Sequence, residues 1–283
     1  MLANRPVEGR TLGMEDRITS MDGPSDQSHS VDATVKSLNV AQKLYEHGPL
    51  TVTELAAELP YSKSTVHRHL QTLLEAEYIV ECEDGFRLSM LYLDYGIAAR
   101  SRSPFYRAAE PKLKELADET AEKVWVMIEE HGLAVFLDRA TGERSVETYA
   151  RVGERGHLHH YAAGKAILAH LDRDRVDQIV EQHGLPARTE HSITTTDELF
   201  HRMKRIRDDG VAYNRGESIT GINAIGAPIL DDNGSPLGAI SVAGPANRLT
   251  GEYLESELVS LVTGVANEIE VQLLVESRRQ ETD

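Results

Sequence analysis

The first structured part of the chain, residues 30–88, changes its hydrophobic pattern in a way that few folds accommodate. Apolar residues recur at helical spacing as far as Gly48-Pro49, which ends the first predicted helix. A short helix over 53–59 follows, and Ser62 is the predicted N-cap of a longer helix running to about residue 77. Two short apolar runs around Asp84-Gly85 predict a β-hairpin. Three helices followed by a hairpin predict a winged helix-turn-helix.

The charge of the whole chain argues against a nucleic-acid binder, whereas the local charge does not. The chain of 283 residues has 46 acidic and 30 basic residues, a net charge of −16, and DNA phosphates are bound by Lys and Arg. The window 59–74 nevertheless contains no acidic residue. Its polar side chains suit phosphates and base edges. From this window we predict that DNA is faced by Ser62, Lys63, Ser64, Thr65, His67, Arg68 and His69. The predicted set is completed by Arg87 on the hairpin and by Thr51 and Thr53, the two candidate N-caps of the short helix.

The second half of the chain mixes helical and strand patterns. A linker helix over 90–102 and a second helix ending near residue 121 come first. Strands are predicted over 124–128, 134–137, 225–230 and 237–242, and helices over 162–171, 175–182, 197–209 and 251–276. This order predicts an α+β fold, with an antiparallel sheet and helices packed on it.

The composition restricts the setting of the protein. The chain is rich in acidic residues and has 22 Arg but only 8 Lys. This composition predicts that the protein works in a cytosol of high salt, where surface carboxylates keep a protein soluble. The single cysteine, Cys82, excludes an internal disulfide framework and a cysteine-only zinc site. No uninterrupted apolar run approaches the length of a membrane span, and no signal peptide is recognised, which predicts a cytoplasmic protein without a membrane. Residues 1–29 are predicted to be a disordered arm, within which Met14 or Met21 could equally be the translation start.

Several motifs, in this order, resemble the IclR family of transcriptional regulators. They include Lys-Ser-Thr-Val-His-Arg at 63–68, Leu-His-His-Tyr-Ala-Ala-Gly-Lys-Ala at 158–166 and Ser-Val-Ala-Gly-Pro at 241–245. The resemblance implies a winged helix-turn-helix domain over 30–92, linker and dimerisation helices over 93–121, a GAF-like α+β effector-binding domain over 122–278 and a tail over 279–283. It also implies a double-stranded DNA operator, a small-molecule effector, no cofactor, and homodimers that can pair into tetramers.

The resemblance also implies where the effector binds. The residues that match the family's effector site are Leu158, His160, Ala162, Ala163, Asn214, Ala224, Ser241 and Ala243. The amides of Ala162 and Ala163 at a helix start would attract a carboxylate. Asn214, Ala224 and Ala243 stand where better-known members have more polar or acidic residues, which predicts a larger or less polar ligand.

The remaining motifs argue against a metal site, a phosphate-binding loop and an enzyme active site. His157, His159 and His160 are interpreted as structural or cavity-lining rather than as metal ligands, and no metal site is predicted. Gly164-Lys165 lacks the remaining residues of a phosphate loop, so Lys165 is expected on a helix surface. No catalytic motif is recognised, which predicts a protein that is not an enzyme. Two alternatives to an effector-responsive regulator remain. One is a DNA-binding regulator without an effector, acting through oligomerisation or protein partners, and the other is an architectural protein with a vestigial effector domain.

Overall fold

A computed structural model describes residues 30–148 and 150–280. The predicted arm over 1–29 lies outside the described residues, as do the last three residues of the predicted tail. The chain divides into two compact units between Ala99 and Arg100.

The first unit contains three helices and a two-stranded sheet. Its elements are α1 (Asp32–His47), α2 (Val52–Glu58), α3 (Lys63–Glu75), β1 (Ile79–Cys82), β2 (Gly85–Leu88) and most of α4 (Leu91–Ser101). Thr51 is the N-cap of α2 and forms a capping box with Glu54, while Ser62 caps α3 by accepting from the Thr65 amide at 3.2 Å. The hydrophobic core of the unit joins all of these elements except α4 through Val40, Leu44, Leu55, Leu59, Val66, Leu70, Ile79 and Phe86.

The hairpin is attached to the segment before α2 by backbone hydrogen bonds. Leu50 and Phe86 exchange both amide bonds, at 3.0 and 2.9 Å. Gly85 has a φ of 120°, and a Cβ added there would lie 2.4 Å from the carbonyl oxygen of Leu50. Only glycine fits this position, so the Asp84-Gly85 turn predicted from the sequence also permits the close approach.

Two details of the first unit differ from the sequence-based prediction. The helix α3 ends at Glu75 rather than near residue 77, because Glu77 adopts a left-handed φ of 65° and its amide bonds back to Leu74 O. Leu38, one of the apolar residues that recur at helical spacing before Gly48-Pro49, is 52% exposed, and the buried face of α1 is formed by Val40, Ala41 and Leu44.

The second unit is an α+β domain built on one antiparallel sheet of six strands. Its elements are α5 (Pro104–Thr120), β3 (Lys123–Glu130), β4 (Leu133–Thr141), β5 (Arg155–His157), a 3₁₀ turn (Leu158–His160), α6 (Ala162–His170), α7 (Arg173–His183), α8 (Thr196–Asp209), β6 (Ala212–Arg215), β7 (Ile222–Leu230), β8 (Pro236–Pro245), a π-helical turn (Tyr253–Glu257) and α9 (Leu258–Gln280). The strand order is β5-β4-β3-β8-β7-β6.

The alternation of side chains along each strand separates two hydrophobic clusters on the two faces of this sheet. On one face, Val124 and Val126 of β3 pack with residues of α5 and α9. On the other face, Trp125 and Met127 of the same strand pack with residues of α6, α7 and α8. The fold class expected from the sequence is therefore confirmed.

The helix α6 is the main departure from the expected burial. It lies between the sheet and α8, and every residue from Ala162 to Ala169 is buried. Lys165 has no exposed side-chain surface, so the expectation that it lies on a helix surface was wrong. Of the three histidines, His157 ends β5, whereas His159 and His160 belong to the 3₁₀ turn.

The segment Tyr253–Arg279 has the length and mean hydropathy of a membrane-spanning helix. The prediction from uninterrupted apolar runs does not cover it, because Glu268 and Glu270 lie within the segment. Leu258, Val262 and Ile269 nevertheless belong to the core of the second unit, and Glu270 Oε1 accepts a bond of 2.7 Å from the Leu230 amide. These contacts place one face of the helix in the core of the second unit.

Candidate DNA-binding face and ligand cavity

The exposed face of α3 carries most of the predicted DNA-binding residues. Its opposite face buries Val66 and Leu70, which leaves Ser64, His67 and Arg68 exposed. Lys63 is also exposed, at the helix start, where its ammonium donates to Thr53 Oγ1 at 3.2 Å. No acidic side chain belongs to this helix before Glu75. The face therefore offers donors to phosphates and bases without a nearby carboxylate from its own helix.

Some predicted DNA-binding residues have contacts inside the first unit. Thr51 accepts from the Glu54 amide in the capping box, and Ser62 holds the first turn of α3 through Thr65. His69 is half-buried, with Nδ1 2.9 Å from Ser37 Oγ of α1. Desolvation lowers the pKa of His69, and so does the charge of Arg68. Arg87 lies exposed on β2, in the hairpin of β1 and β2 that we call the wing.

The second unit contains a cavity of about 580 Å³, including its open mouth, on the sheet face that carries α6. We call it the ligand cavity. Of the residues that the resemblance assigned to effector binding, it is lined by Ala162, Asn214, Ala224, Ser241 and Ala243. Leu158, His160 and Ala163 are buried beside it but do not line it. Aromatic and aliphatic groups form most of the wall, including Trp125, Met127, Phe136, Tyr161, Ile219 and Ile222.

Strand register explains the arrangement of the cavity floor. Lys123, Ala243, Ala224 and Asn214 are successive cross-strand neighbours on β3, β8, β7 and β6. Three strand spacings separate the ends of this row, about 14 Å between backbones. The two alanines leave space in the middle, and a polar residue stands at each end. The sequence-based prediction did not include Lys123 and Thr148, which also line the cavity. Side chains alternate along a strand, so Lys123 points to the same face of β3 as the buried Trp125, and this alternation could have identified it.

The start of α6 approaches the sheet closely beside this row. A Cβ added at Gly226 would lie 2.8 Å from the amide nitrogen of Ala163, so glycine is needed for this contact. Tyr161, the N-cap residue, makes no side-chain capping bond. The first-turn amides of α6 have no intrahelical partners and favour nearby negative charge, and Ala162 of this turn lines the cavity.

A network of buried polar groups includes Asn214, one of the residues that line the cavity. Lys165 donates to Glu217 Oε2, and both side chains are almost fully buried. The Glu217 amide donates to Asn214 Oδ1 at 3.0 Å, and the Asn214 amide nitrogen donates to His160 O. Burial lowers the pKa of Lys165 to about 8, although the adjacent Glu217 carboxylate opposes this change. The network therefore holds Asn214 and the segment after it in one conformation.

The histidine cluster is bonded to a loop carbonyl. The rings of His159 and His160 both place Nε2 near Pro186 O, at 3.1 and 2.8 Å, and since a carbonyl can only accept, both nitrogens donate. Desolvation lowers the pKa of His159 to about 3 and that of His160 to about 4. Within residues 30–148 and 150–280, no group of three or more His, Cys, Asp or Glu side chains is arranged to hold a metal ion.

This burial predicts that the second unit loses stability in acid. The unfolded chain takes up protons below a histidine pKa of about 6.5, whereas the buried rings take them up only near pH 3 to 4, so the free energy of unfolding falls as the pH decreases through this interval. At pH 5, His159→Gln is expected to reduce the slope of stability against pH by about 1.4 kcal/mol per unit, the effect of one proton. Urea unfolding followed by the fluorescence of Trp125 measures the slope. The exposed His201→Gln is the control, and an equal slope in both variants would contradict the prediction.

Each of the two units matches the model of a known protein family. Residues 44–81 match the family model for the IclR helix-turn-helix domain, and residues 98–271 match the model for the bacterial transcriptional regulator IclR C-terminal domain. A relative from Halobacterium salinarum, described as the probable HTH-type transcriptional regulator ArcR, is 31% identical over 247 residues, which cover 86% of this chain and 94% of the relative.

Solved structures show the same fold. The Thermotoga maritima IclR is 25% identical, with a TM-score of 0.68 over 85% of this chain and 96% of that chain. An IclR homologue of Microbacterium hydrocarbonoxydans, solved in complex with 4-hydroxybenzoate, is 20% identical, with a TM-score of 0.74 over 86% of this chain and all of that chain. With a helix-turn-helix domain at one end and an IclR C-terminal domain at the other, this DNA-binding chain belongs to the IclR family of transcriptional regulators, which are not enzymes.

Proposed function

We propose that this protein binds a specific operator through α3 and the wing, and that a small organic metabolite in the ligand cavity changes its operator affinity. The observation that carries the proposal is the open, mostly apolar cavity of about 580 Å³ in a chain that also presents the basic face of α3. Cavities lined mainly by apolar and aromatic side chains, with a few polar groups among them, are typical of small-molecule sites. The homologue from Microbacterium hydrocarbonoxydans holds 4-hydroxybenzoate, which supports an aromatic or other organic acid as the ligand class.

The proposed contacts with DNA are divided by role. Arg68 and Ser64 on the outer face of α3 read bases in the major groove, while Lys63 and Arg87 contact phosphates. Thr51, Ser62 and His69 act mainly by holding the helices in place, since their side chains are bonded within the unit.

The proposed assembly is a homodimer, or a tetramer of two dimers, in a cytoplasm of high salt. The helix α4 supports dimerisation because Leu93 and Ile97, one turn apart, are 59% and 47% exposed. The net charge of −16 and the relative from Halobacterium salinarum support a high-salt setting.

Coupling between ligand and operator tests the proposal. After operator mapping by chromatin occupancy, the dissociation constant for the operator is measured by fluorescence anisotropy with and without 4-hydroxybenzoate and related acids. An effector is expected to change operator affinity by about 5-fold or more, and operator DNA must change ligand affinity by the same factor. Ala224→Phe, which fills the cavity, should abolish the change while leaving unliganded operator binding intact. A ligand that binds without altering operator affinity would contradict the proposal and favour a regulator acting through oligomerisation or protein partners.

A further inference from the structure

The β3 end of the ligand cavity contains two buried polar groups that form no hydrogen bond with any residue of 30–148 or 150–280. Lys123 is 2% exposed, and its Nζ has no hydrogen-bond partner among the described residues. The same is true of Thr148 Oγ1 within this part of the chain, and both residues line the cavity. Burying a hydrogen-bonding group, above all a charged one, without a partner costs free energy. A group from outside the chain would remove this cost.

The charged groups around Lys123 leave an excess of positive charge. Glu147 Oε2 comes within 4.0 Å of Nζ, but its side chain is 89% exposed, so this ion pair contributes little. Glu122, the preceding residue, is bonded through both oxygens to Arg248, at 2.7 and 2.9 Å. Arg139 adds a second cation near Lys123, with its guanidinium 5.7 Å from the centre of the Trp125 ring. Burial lowers the pKa of Lys123, Glu147 raises it and Arg139 lowers it, and an anion in the cavity would raise it.

At the opposite end of the row formed by Lys123, Ala243, Ala224 and Asn214, fewer hydrogen-bonding groups are left for a ligand. Asn214 already uses its amide nitrogen for His160 O and its Oδ1 for the Glu217 amide. Between the two ends, Ala224 and Ala243 provide a small apolar floor. The unsatisfied hydrogen-bonding capacity of this row is therefore at Lys123, a residue that the resemblance did not assign to the effector.

We propose that Lys123 Nζ and Thr148 Oγ1 bind the anionic group of the effector, and that the effector is an organic acid whose apolar body lies over Ala243 and Ala224, against Trp125. The inference rests on the proposed function in one respect, that the ligand cavity is the effector site. It adds the end of the cavity at which the anionic group of the acid binds and the residues that bind it.

Paired acids and amides test this assignment on the full-length protein. Benzoate, 4-hydroxybenzoate, phenylacetate and 3-phenylpropionate are each compared with their primary amides by isothermal titration calorimetry. At least one acid is expected to bind at least 10-fold more tightly than its amide. Lys123→Met should remove that advantage, Thr148→Val should weaken the acid several-fold, and Lys123→Arg should retain most of the affinity. The exposed Lys204→Met is the matched control and should bind as the wild type does.

The results distinguish this inference from the proposed function. Equal binding of an acid and its amide, unchanged acid affinity in Lys123→Met, or no binding by any acid of the panel would overturn the inference. Acid binding that depends on Lys123 but leaves operator affinity unchanged would uphold the inference and contradict the proposed function. Conversely, neutral ligands that alter operator affinity independently of Lys123 would uphold the function and overturn the inference.

Discussion

Replacing Glu217 with glutamine is expected to lower the free energy of unfolding of the second unit by about 3–5 kcal/mol. The substitution leaves the ammonium of Lys165 without its counter-ion at a position with no exposed side-chain surface. Removal of one partner of a buried ion pair is costly because the remaining charge stays desolvated. Urea unfolding followed by the fluorescence of Trp125, the single tryptophan of the chain and a residue of this unit, measures the change directly.

The stability deficit of the Glu217→Gln variant should also depend on pH. The pKa of Lys165 is already lowered to about 8, and the loss of Glu217 removes an interaction that raises it. Below about pH 8 the folded wild type keeps this proton, whereas the folded variant releases it at a lower pH, so the stability of the variant rises with pH while that of the wild type does not. The deficit is therefore expected to shrink as the pH rises toward about 8 and to stay constant above that, where both folded states have lost the proton.

Two further variants complete the Glu217 experiment. Glu181→Gln changes an exposed carboxylate and should leave stability unchanged. The double variant Lys165→Met with Glu217→Leu removes both charges and should recover most of the lost stability. A deficit in Glu217→Gln below about 1 kcal/mol, the range of a surface pair, would show that the two charges are not desolvated in solution.

Replacing Arg68 with alanine is expected to weaken operator binding by roughly 5- to 150-fold, equivalent to about 1–3 kcal/mol. Arg68 is exposed on the face of α3 opposite the buried Val66 and Leu70, and no acidic residue precedes Glu75 on this helix. A guanidinium can donate two bonds to the major-groove edge of guanine, which is the commonest specific contact between proteins and DNA.

The comparison with non-specific DNA identifies the kind of contact that Arg68 makes. If Arg68 reads a base, the loss is larger for the operator than for unrelated DNA. If it contacts only a phosphate, both affinities fall alike and the slope of log affinity against log salt decreases by about one. Arg205→Ala, an exposed arginine of the second unit, is the matched control. An unchanged operator footprint and affinity in Arg68→Ala would remove this residue from the interface.

Most of the first unit could be predicted from the sequence because its determinants are local. Ser62 and Thr51 cap the helices that follow them, and Asp84-Gly85 forms the hairpin turn. N-cap bonds and hairpin turns span only a few residues, so they can be identified without knowledge of distant contacts. The exposed basic face of α3 follows from its helical period in the same way.

In the second unit, the sequence alone determined the family, the order of the helices and four of the six strands, β3, β4, β7 and β8. The short strands β5 and β6, the burial of side chains and the ligand chemistry were decided by the tertiary structure. Lys165 is buried because α6 lies between the sheet and α8, which a single helix pattern does not reveal. Lys123 reaches the cavity, and Asn214 is satisfied by His160 and Glu217, through strands and loops distant in the chain. The physical reason is that desolvation and hydrogen-bond satisfaction depend on all neighbours of a group in space, and these neighbours exist only once the sheet has formed.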